Sequence, residues 1–265
     1  MRIRISYKTS YHYDAPVPFA LQQLRKTPLS SPMQTVAHWQ VTLDGATEEL
    51  SFRDQHGNHV ILSSIEPGRT EMSILCEGEI DTHPTQGVLG MEPQGAPLWY
   101  YRRATPATTM GPELRKLVAA LGEDTDIVRM HKLSELIRSR VAYETGRTEV
   151  TTTAEEALKA GHGVCQDHTH IFIAAARSIG FPARYVSGYL LMDDRIDQEA
   201  AHAWAEVFVT DIGWVGFDIS NVISPDERYV RVACGLDYKE ASPVSGMRFG
   251  DSVESLTVSL QVEQQ

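Results

Sequence analysis

The hydrophobic period of this chain changes twice, and this change constrains the fold more than any other feature. Over residues 1–95, short apolar runs alternate with a period of two between turn signals, as in Arg2-Ile3-Arg4-Ile5, and predict β-strands. From Pro112 the apolar positions follow a helical period, and beyond Gly180 the alternation returns. Helices followed by antiparallel strands, without strict β-α alternation, are typical of an α+β fold.

The segment of residues 81–106 contains repeated Gly and Pro and has no sustained period, so it predicts a linker. A length of 265 residues is sufficient for two hydrophobic cores. We therefore predict an N-terminal β domain of residues 1–95 and a second domain of residues 96–265. The alternating C-terminal strands, such as the one through Val258, either stay with the second domain or return to the N-terminal domain.

The composition of the chain bears on its binding partners and on the compartment in which we expect it. The formal net charge of −11 argues against nucleic acids and membranes, because both select basic surfaces. The three cysteines, Cys76, Cys165 and Cys234, are widely spaced without a CxxC pair, which predicts free thiols in a reducing compartment. The N-terminus has no apolar signal-peptide stretch, and no apolar run reaches about 18 residues, so we expect a cytoplasmic protein.

One cysteine is predicted at the start of a helix. Cys165, Thr169, Phe172, Ala176 and Ile179 recur at helical spacings, and Gly180-Phe-Pro182 is a stop signal, so a helix is expected from about residue 164 to residue 179. A helix N-terminus has unpaired N–H groups and a partial positive charge, which favour a thiolate and stabilise an oxyanion beside it.

A β-hairpin is predicted downstream of this helix. The strand from His202 to Thr210 alternates, Asp211-Ile-Gly213 predicts the turn, and Trp214–Ile219 forms the returning strand. With a loop of five residues, 209–213, Asp218 faces Trp204 and lies diagonal to His202, within side-chain reach. A loop with an even number of residues places the carboxylate on the opposite face, so the register decides whether the two side chains meet.

These three residue types suit nucleophilic catalysis. An imidazole accepts the thiol proton or pairs with the thiolate and then donates to the leaving amine, while a carboxylate fixes its tautomer and orientation. We therefore predict a catalytic triad of Cys165, His202 and Asp218.

The chain resembles the transglutaminase-like superfamily, and in particular bacterial members that carry an N-terminal β domain. The matching segments are Gly161-x-Gly-Val-Cys-Gln-Asp167, Ala175-Ala-Arg-Ser-Ile-Gly-Phe-Pro-Ala-Arg-Tyr-Val-Ser-Gly-Tyr189, His202-Ala-Trp-Ala-Glu-Val207 and Gly213-Trp-x-Gly-Phe-Asp218.

The resemblance implies a papain-like α+β core of helices packed on an antiparallel sheet, preceded by a β-sandwich-like domain. It also implies the roles of nucleophile for Cys165, acid and base for His202, and orienting carboxylate for Asp218. The Cys-Gln-Asp motif differs from the Cys-Trp and Cys-Leu-Tyr motifs of other branches, so a substrate preference does not carry over.

Further site residues are predicted around the triad. The backbone N–H of Cys165 is the first candidate for an oxyanion donor, and Tyr143 is a side-chain candidate, with simple packing after its helix as the alternative. Four other residues are predicted to line the cleft, namely Gly163, Gln166, His168 and Trp204. No Asp-rich loop with calcium-binding spacing is present in the sequence, so no cofactor is expected.

Two other classes of function stay open at this stage. The residues His162, Cys165, His168 and His170 contain zinc-ligand types, although His170 lies five positions from Cys165 and points away from it on a helix. A non-catalytic descendant of the fold is the second alternative, in which the chain acts as an interaction module.

The sequence thus predicts a thiol-dependent enzyme that cleaves or exchanges an amide or isopeptide bond through a thioester intermediate. We favour a cysteine protease or amidohydrolase over a transamidase, because no element for binding a protein amine is recognisable. The expected substrate is a peptide, a protein or a small amide.

Overall fold

The N-terminal part of the computed structural model consists of strands in which every second side chain is buried. The structure describes residues 1–92, 95–192, 196–198 and 201–265. In strand β1 (Arg2–Tyr13), the side chains of Ile3, Ile5 and Tyr7 point inward, while Arg2 and Arg4 between them are exposed. This alternation confirms the predicted period of two.

The other strands of this part follow in chain order. They are β2 (Phe19–Thr27), β3 (Gln34–Asp44), β4 (Ala46–Arg53), β5 (His59–Ile65), β6 (Glu71–Thr82) and β7 (Val88–Gly90).

Helices and strands alternate irregularly in the remainder of the chain. Short 3₁₀ helices occupy Tyr100–Arg102 and Pro106–Thr108. The α-helices are α1 (Pro112–Ala119), α2 (Asp126–Arg140), α3 (Ala154–Ala160), α4 (Cys165–Ser178) and α5 (Tyr238–Ala241). The strands are β8 (Ala142–Tyr143), β9 (His162–Gly163), β10 (Ala183–Leu190), β11 (Asp197–Gln198), β12 (His202–Val209), β13 (Gly213–Phe217), β14 (Tyr229–Gly235), β15 (Val244–Phe249) and β16 (Glu254–Gln264).

The strands form three larger antiparallel sheets and one small parallel pair. Two sheets, with the orders β11-β16-β1-β6-β3 and β15-β2-β5-β4, enclose a common apolar core, which gives this part its sandwich-like architecture. The third sheet has the order β14-β10-β12-β13-β7. The parallel pair joins β8 to β9 beside the start of α4.

The C-terminal strands lie in the sandwich, where β16 pairs with β1 and β15 pairs with β2. In the opposite direction, β7 pairs with β13 of the third sheet, although the predicted boundary at residue 95 assigns it to the N-terminal domain. Residues 93–94 of the predicted linker lie outside the described residues.

Helix α4 is the centre of the second core. It packs against α1, α2 and α3 on one side and against β10 and β12 on the other. All its side chains from Asp167 to Arg177 are buried. A helix enclosed in this way has a fixed axis and fixed ends, so its first residue is held rigidly relative to the third sheet. Among the described helices, none is long and apolar enough to span a membrane.

Candidate active site

The capping of helix α3 sets the path of the chain from that helix into the site. The Glu156 backbone N–H donates to Thr153 Oγ1 (3.3 Å), and the Thr153 N–H donates to Glu156 Oε2 (2.9 Å). Gly161 ends the helix with a φ of 73°, which is the left-handed conformation that favours glycine. This reciprocal capping turns the chain toward β9 and then into α4.

Cys165 is the first residue of α4, which runs to Ser178 and confirms the predicted helix to within one residue at each end. Its side chain is half-buried, whereas Cys76 and Cys234 are buried. Because the first N–H groups of a helix have no intrahelical partner, the thiol lies beside unpaired donors and the positive end of the helix dipole.

Asp167 secures this helix start. Its Oδ2 accepts hydrogen bonds from the Val164 N–H (2.8 Å) and from Thr148 Oγ1 (2.7 Å). Burial raises the pKa of Asp167, while these two hydrogen bonds lower it. Gly163 faces this carboxylate, and a Cβ on Gly163 would lie 2.8 Å from Asp167 Oδ2. The glycine therefore makes room for Asp167 rather than for a substrate.

The hairpin has the register that brings His202 and Asp218 to one face. Val209 pairs with Gly213 and Ala205 pairs with Phe217, so the next position of the ladder places Asp218 opposite Trp204, as predicted. The unpaired loop contains residues 210–212. Because Val209 and Gly213 pair at its base, this three-residue loop has the same odd register as the predicted five-residue loop.

His202 and Asp218 form a close hydrogen bond. The distance from His202 Nε2 to Asp218 Oδ2 is 2.7 Å, and Asp218 is completely buried. The same oxygen accepts hydrogen bonds from Tyr229 Oη (2.7 Å) and Asn221 Nδ2 (2.7 Å), and Oδ1 accepts one from the Asn221 N–H (3.2 Å). Burial raises the pKa of Asp218, but these hydrogen bonds and the charge of His202 bring it below its usual range.

The Cys165 side chain lies close enough to His202 to raise the pKa of the imidazole, so His202 lies between the thiol and the carboxylate. Because Asp218 pairs with Nε2 of His202, Nδ1 is the ring nitrogen that remains for the Cys165 thiol. Burial lowers the pKa of His202, but the hydrogen bonds to Asp218 and Cys165, together with their charges, raise it to about 10. The site therefore favours an imidazolium beside the Cys165 side chain at neutral pH.

Aromatic rings fix the plane of the imidazole. The His202 ring lies 6.3 Å from the Trp204 ring and 6.0 Å from the Tyr229 ring, measured between centroids. The rings of Trp204 and Tyr229 pack edge to face at 5.5 Å. This packing restricts rotation of His202 away from Cys165.

Tyr143 lies at the rim of the site, with 45% of its surface exposed. Burial of part of the side chain, with the charges of Cys165 and Asp218, raises the pKa of Tyr143 to about 12. Its hydroxyl is therefore protonated at neutral pH and available as a donor near the thiol.

Three of the predicted cleft-lining residues, Gly163, His168 and Trp204, are buried in the structure. Gln166 is half-buried, and its Nε2 donates to the carbonyl of Val150 (2.9 Å), so it ties the segment before α3 to the start of α4.

The histidines around Cys165 do not converge on one point. His168 contacts Ser220 and the Val141 carbonyl, while His170 Nε2 accepts a hydrogen bond from the Tyr238 N–H (3.1 Å). Within the part of the chain that the structure describes, no group of three or more His, Cys, Asp or Glu side chains is arranged to hold a metal ion.

Two residues at the carboxylate were not predicted from the sequence. Asn221 follows Asp218 by three positions, and this Asp-x-x-Asn spacing is a turn signal that could have indicated it. Tyr229 lies eleven positions beyond Asp218, at the start of β14, and only the pairing of β14 with β10 brings it to the site.

Comparison with known families accounts for both parts of the chain. Residues 115–219 match the model of the transglutaminase-like superfamily, and residues 3–81 match that of the bacterial transglutaminase-like N-terminal region. The matched core contains Cys165, His202 and Asp218.

Similar proteins extend over almost the whole length. An uncharacterized protein of Mycobacterium tuberculosis is 32% identical over 296 residues, covering 98% of this chain and 92% of the relative. One of Mycobacterium leprae is 26% identical over 283 residues, covering 98% of both. The crystal structure of a "Putative Cysteine Protease from Cytophaga hutchinsonii" has a TM-score of 0.77 at 18% identity, covering 100% of this chain and 91% of that one, and shows the same fold.

Proposed function

This chain belongs to the transglutaminase-like superfamily, and we propose on that basis that it is a thiol-dependent acyl-transfer enzyme with Cys165 as the nucleophile. The observation that carries the proposal is the continuous contact from Asp218 through His202 to Cys165, with 2.7 Å between the first two. Membership of the superfamily and the described fold of the Cytophaga hutchinsonii protein are consistent with it.

The proposed acylation uses the Cys165 thiolate and the His202 imidazolium. The sulfur attacks the carbonyl carbon of an amide, and the carbonyl electron pair moves to the oxygen. The Cys165 N–H at the start of α4 donates to this oxyanion, and Tyr143 is a second candidate donor. As the C–N bond breaks, Nδ1 of His202 gives its proton to the leaving amine, and a thioester forms on Cys165.

In the proposed deacylation, His202 acts as a base instead of an acid. His202, now neutral, takes a proton from water as the oxygen attacks the thioester carbonyl. The C–S bond then breaks, which releases a carboxylic acid and restores the thiolate–imidazolium pair. Throughout, Asp218 holds the ring by Nε2 and compensates its charge.

We favour hydrolysis over transamidation, because the sequence contains no recognisable element for binding a protein amine. The two reactions share the same thioester and differ in whether water or an amine attacks it. The substrate we propose is an amide or isopeptide bond in a peptide or protein.

Product identification tests this proposal. A mixed peptide library that contains glutamine and isopeptide-linked lysine is incubated with the protein, with and without a primary amine such as cadaverine, and the products are identified by mass spectrometry. We expect hydrolysed products that C165S does not form. Exclusive incorporation of the amine would contradict hydrolysis, and identical products from C165S would contradict the enzyme assignment.

A further inference from the structure

His168 lies one helical turn beyond Cys165, fully buried, and makes two specific hydrogen bonds. Its Nε2 is 3.2 Å from the Val141 carbonyl oxygen, and its Nδ1 is 2.9 Å from Ser220 Oγ. Because a carbonyl only accepts, Nε2 carries the proton and donates to Val141. Nδ1 then accepts from the Ser220 hydroxyl, so both ring nitrogens are used and the tautomer is defined.

The two partners belong to the segments that carry other site residues. Ser220 lies two positions after Asp218, in the turn that the Asp218–Ile223 bridge closes. Val141 lies two positions before Tyr143, at the end of α2. The His168 ring therefore connects the helix of the nucleophile with the carboxylate turn and with the strand of the oxyanion candidate.

Arg138 reinforces the same two segments through backbone atoms. Its Nε donates to the Ser220 carbonyl (3.2 Å), and its Nη1 donates to the Val141 carbonyl (3.3 Å). Arg138 thus ties the carboxylate turn to α2. The contact between His168 and Ser220 is the one that ties it to α4, which carries Cys165.

The environment keeps His168 neutral. Burial lowers the pKa of His168 to about 4, with a further lowering by the Arg138 cation, while the Val141 hydrogen bond and Asp218 act in the opposite direction. Protonation of Nδ1 would remove the acceptor for Ser220, and this is suppressed at neutral pH. The Tyr143 ring covers the imidazole at 6.0 Å between centroids.

We propose that His168 is a positioning residue that holds the Asp218 turn against the Cys165 helix, through its hydrogen bond with Ser220, and so aligns His202 between them. This inference rests on the proposed function. His168 has no exposed surface and acts through Ser220 and Asp218 rather than on the substrate. A misplacement of about 1 Å in such a group can cost roughly 100-fold in rate, which makes the contact testable.

Isosteric variants separate the two hydrogen bonds. In H168N, the amide oxygen takes the place of Nδ1 and preserves the Ser220 acceptor. In H168Q, the amide nitrogen takes the place of Nε2 and preserves the donor to Val141, but the Ser220 contact is lost. S220A removes the same contact from the other side and leaves the histidine in place.

The readout is the titration of His202, followed by NMR in histidine-labelled protein, with its signal assigned by its absence in H202A. The groups that face His202 are Asp218, Cys165, Trp204 and Tyr229. We expect H168Q and S220A to lower the His202 transition by roughly one pH unit, which is a tenfold weaker preference for the imidazolium. The transition in H168N should stay closer to the wild-type value.

The double variant H168Q/S220A provides an internal control. H168Q and S220A should each remove the same hydrogen bond, between His168 and Ser220. The double variant should therefore shift the His202 transition no further than either single variant. If H168Q does not fold, the His202 transition is compared between S220A and H168N instead.

A lowered melting temperature with an unchanged His202 transition in H168Q and S220A would overturn the positioning role and assign His168 to structure alone. Identical products from the wild-type protein and C165S in the peptide-library assay would instead overturn the proposed function itself, so the two failures are distinguishable.

Discussion

Replacement of Asp218 by Asn tests how the carboxylate controls the thiol. The amide keeps the shape of the side chain and an oxygen for the Tyr229 hydroxyl, but it removes the negative charge that His202 contacts at 2.7 Å. Cys165 alone then opposes the effect of burial on His202, and the pKa of the imidazole falls from about 10 toward its ordinary value of 6.5.

The magnitude follows from the lost charge-assisted hydrogen bond. Hydrogen bonds to charged groups contribute about 1.5–3 kcal/mol, and each 1.36 kcal/mol corresponds to a factor of ten. Because the imidazolium is the partner of the Cys165 sulfur, the rate of Cys165 alkylation at pH 7 should fall by roughly 10- to 150-fold.

The assay is the second-order rate of alkylation of Cys165 by iodoacetamide at pH 7, measured by mass spectrometry of the Cys165 peptide. D81N serves as the matched control, since Asp81 pairs with Arg2 on the exposed N-terminal sheet and its loss removes the same charge. An alkylation rate in folded D218N equal to that of D81N would refute the reasoning.

The direction in which the proposed activity depends on pH follows from the pKa of His202. The pKa of His202 is raised in the folded state, so the imidazolium is present at neutral pH and is lost as the pH rises through about 10. In the wild type the high-pH loss of the proposed peptide-hydrolysing activity should therefore follow this transition. In D218N the loss should occur at lower pH.

Three further predictions follow from individual contacts. Y229F removes one donor to Asp218 Oδ2 and should slow the alkylation of Cys165 roughly tenfold without unfolding the protein. G163A places a Cβ 2.7 Å from that of Asp167 and should cost about 1–3 kcal/mol in urea denaturation. K26M removes a buried ammonium: burial lowers the pKa of Lys26 from 10.5 to about 8, so its destabilising effect is full below pH 8 and is relieved toward pH 10.5. The stability of K26M relative to the wild type, measured by urea denaturation at several pH values, should accordingly fall across that range, and a constant difference would contradict this account.

The sequence predicted the site where the signals are local. The helix start at Cys165 and the turn that ends at Gly213 each depend on residues a few positions apart. The sequence left the length of the hairpin loop open, and the register that brings His202 and Asp218 together comes from the structure.

Burial on two faces could not be predicted in the same way. Alternation in β12 indicates two faces but not what covers them, so the sequence does not predict that Trp204 is buried. Glu206 on the same strand is buried in ion pairs with Arg184 (2.6 Å) and Arg231 (2.8 Å). Such pairs join strands distant in the chain, and only the tertiary fold brings them together.

The hydrogen-bond partners of Asp218 could also be predicted only where they are close in sequence. Asn221 is near in sequence, but Tyr229 reaches the carboxylate because β14 lies at the edge of the third sheet beside β10. The strand β15 was also not predicted, since its residues do not alternate in burial and its position depends on pairing with β2.

The central claim is that Cys165 accepts an acyl group with the help of His202. Brief incubation with p-nitrophenyl acetate, acid quenching and peptide mapping measure this directly. The account predicts one acetyl group per chain, as a hydroxylamine-sensitive thioester on Cys165, which forms far more slowly in H202A and is absent in C165S. An unmodified Cys165 in folded wild-type protein, or acetylation at the same rate in H202A, would contradict it.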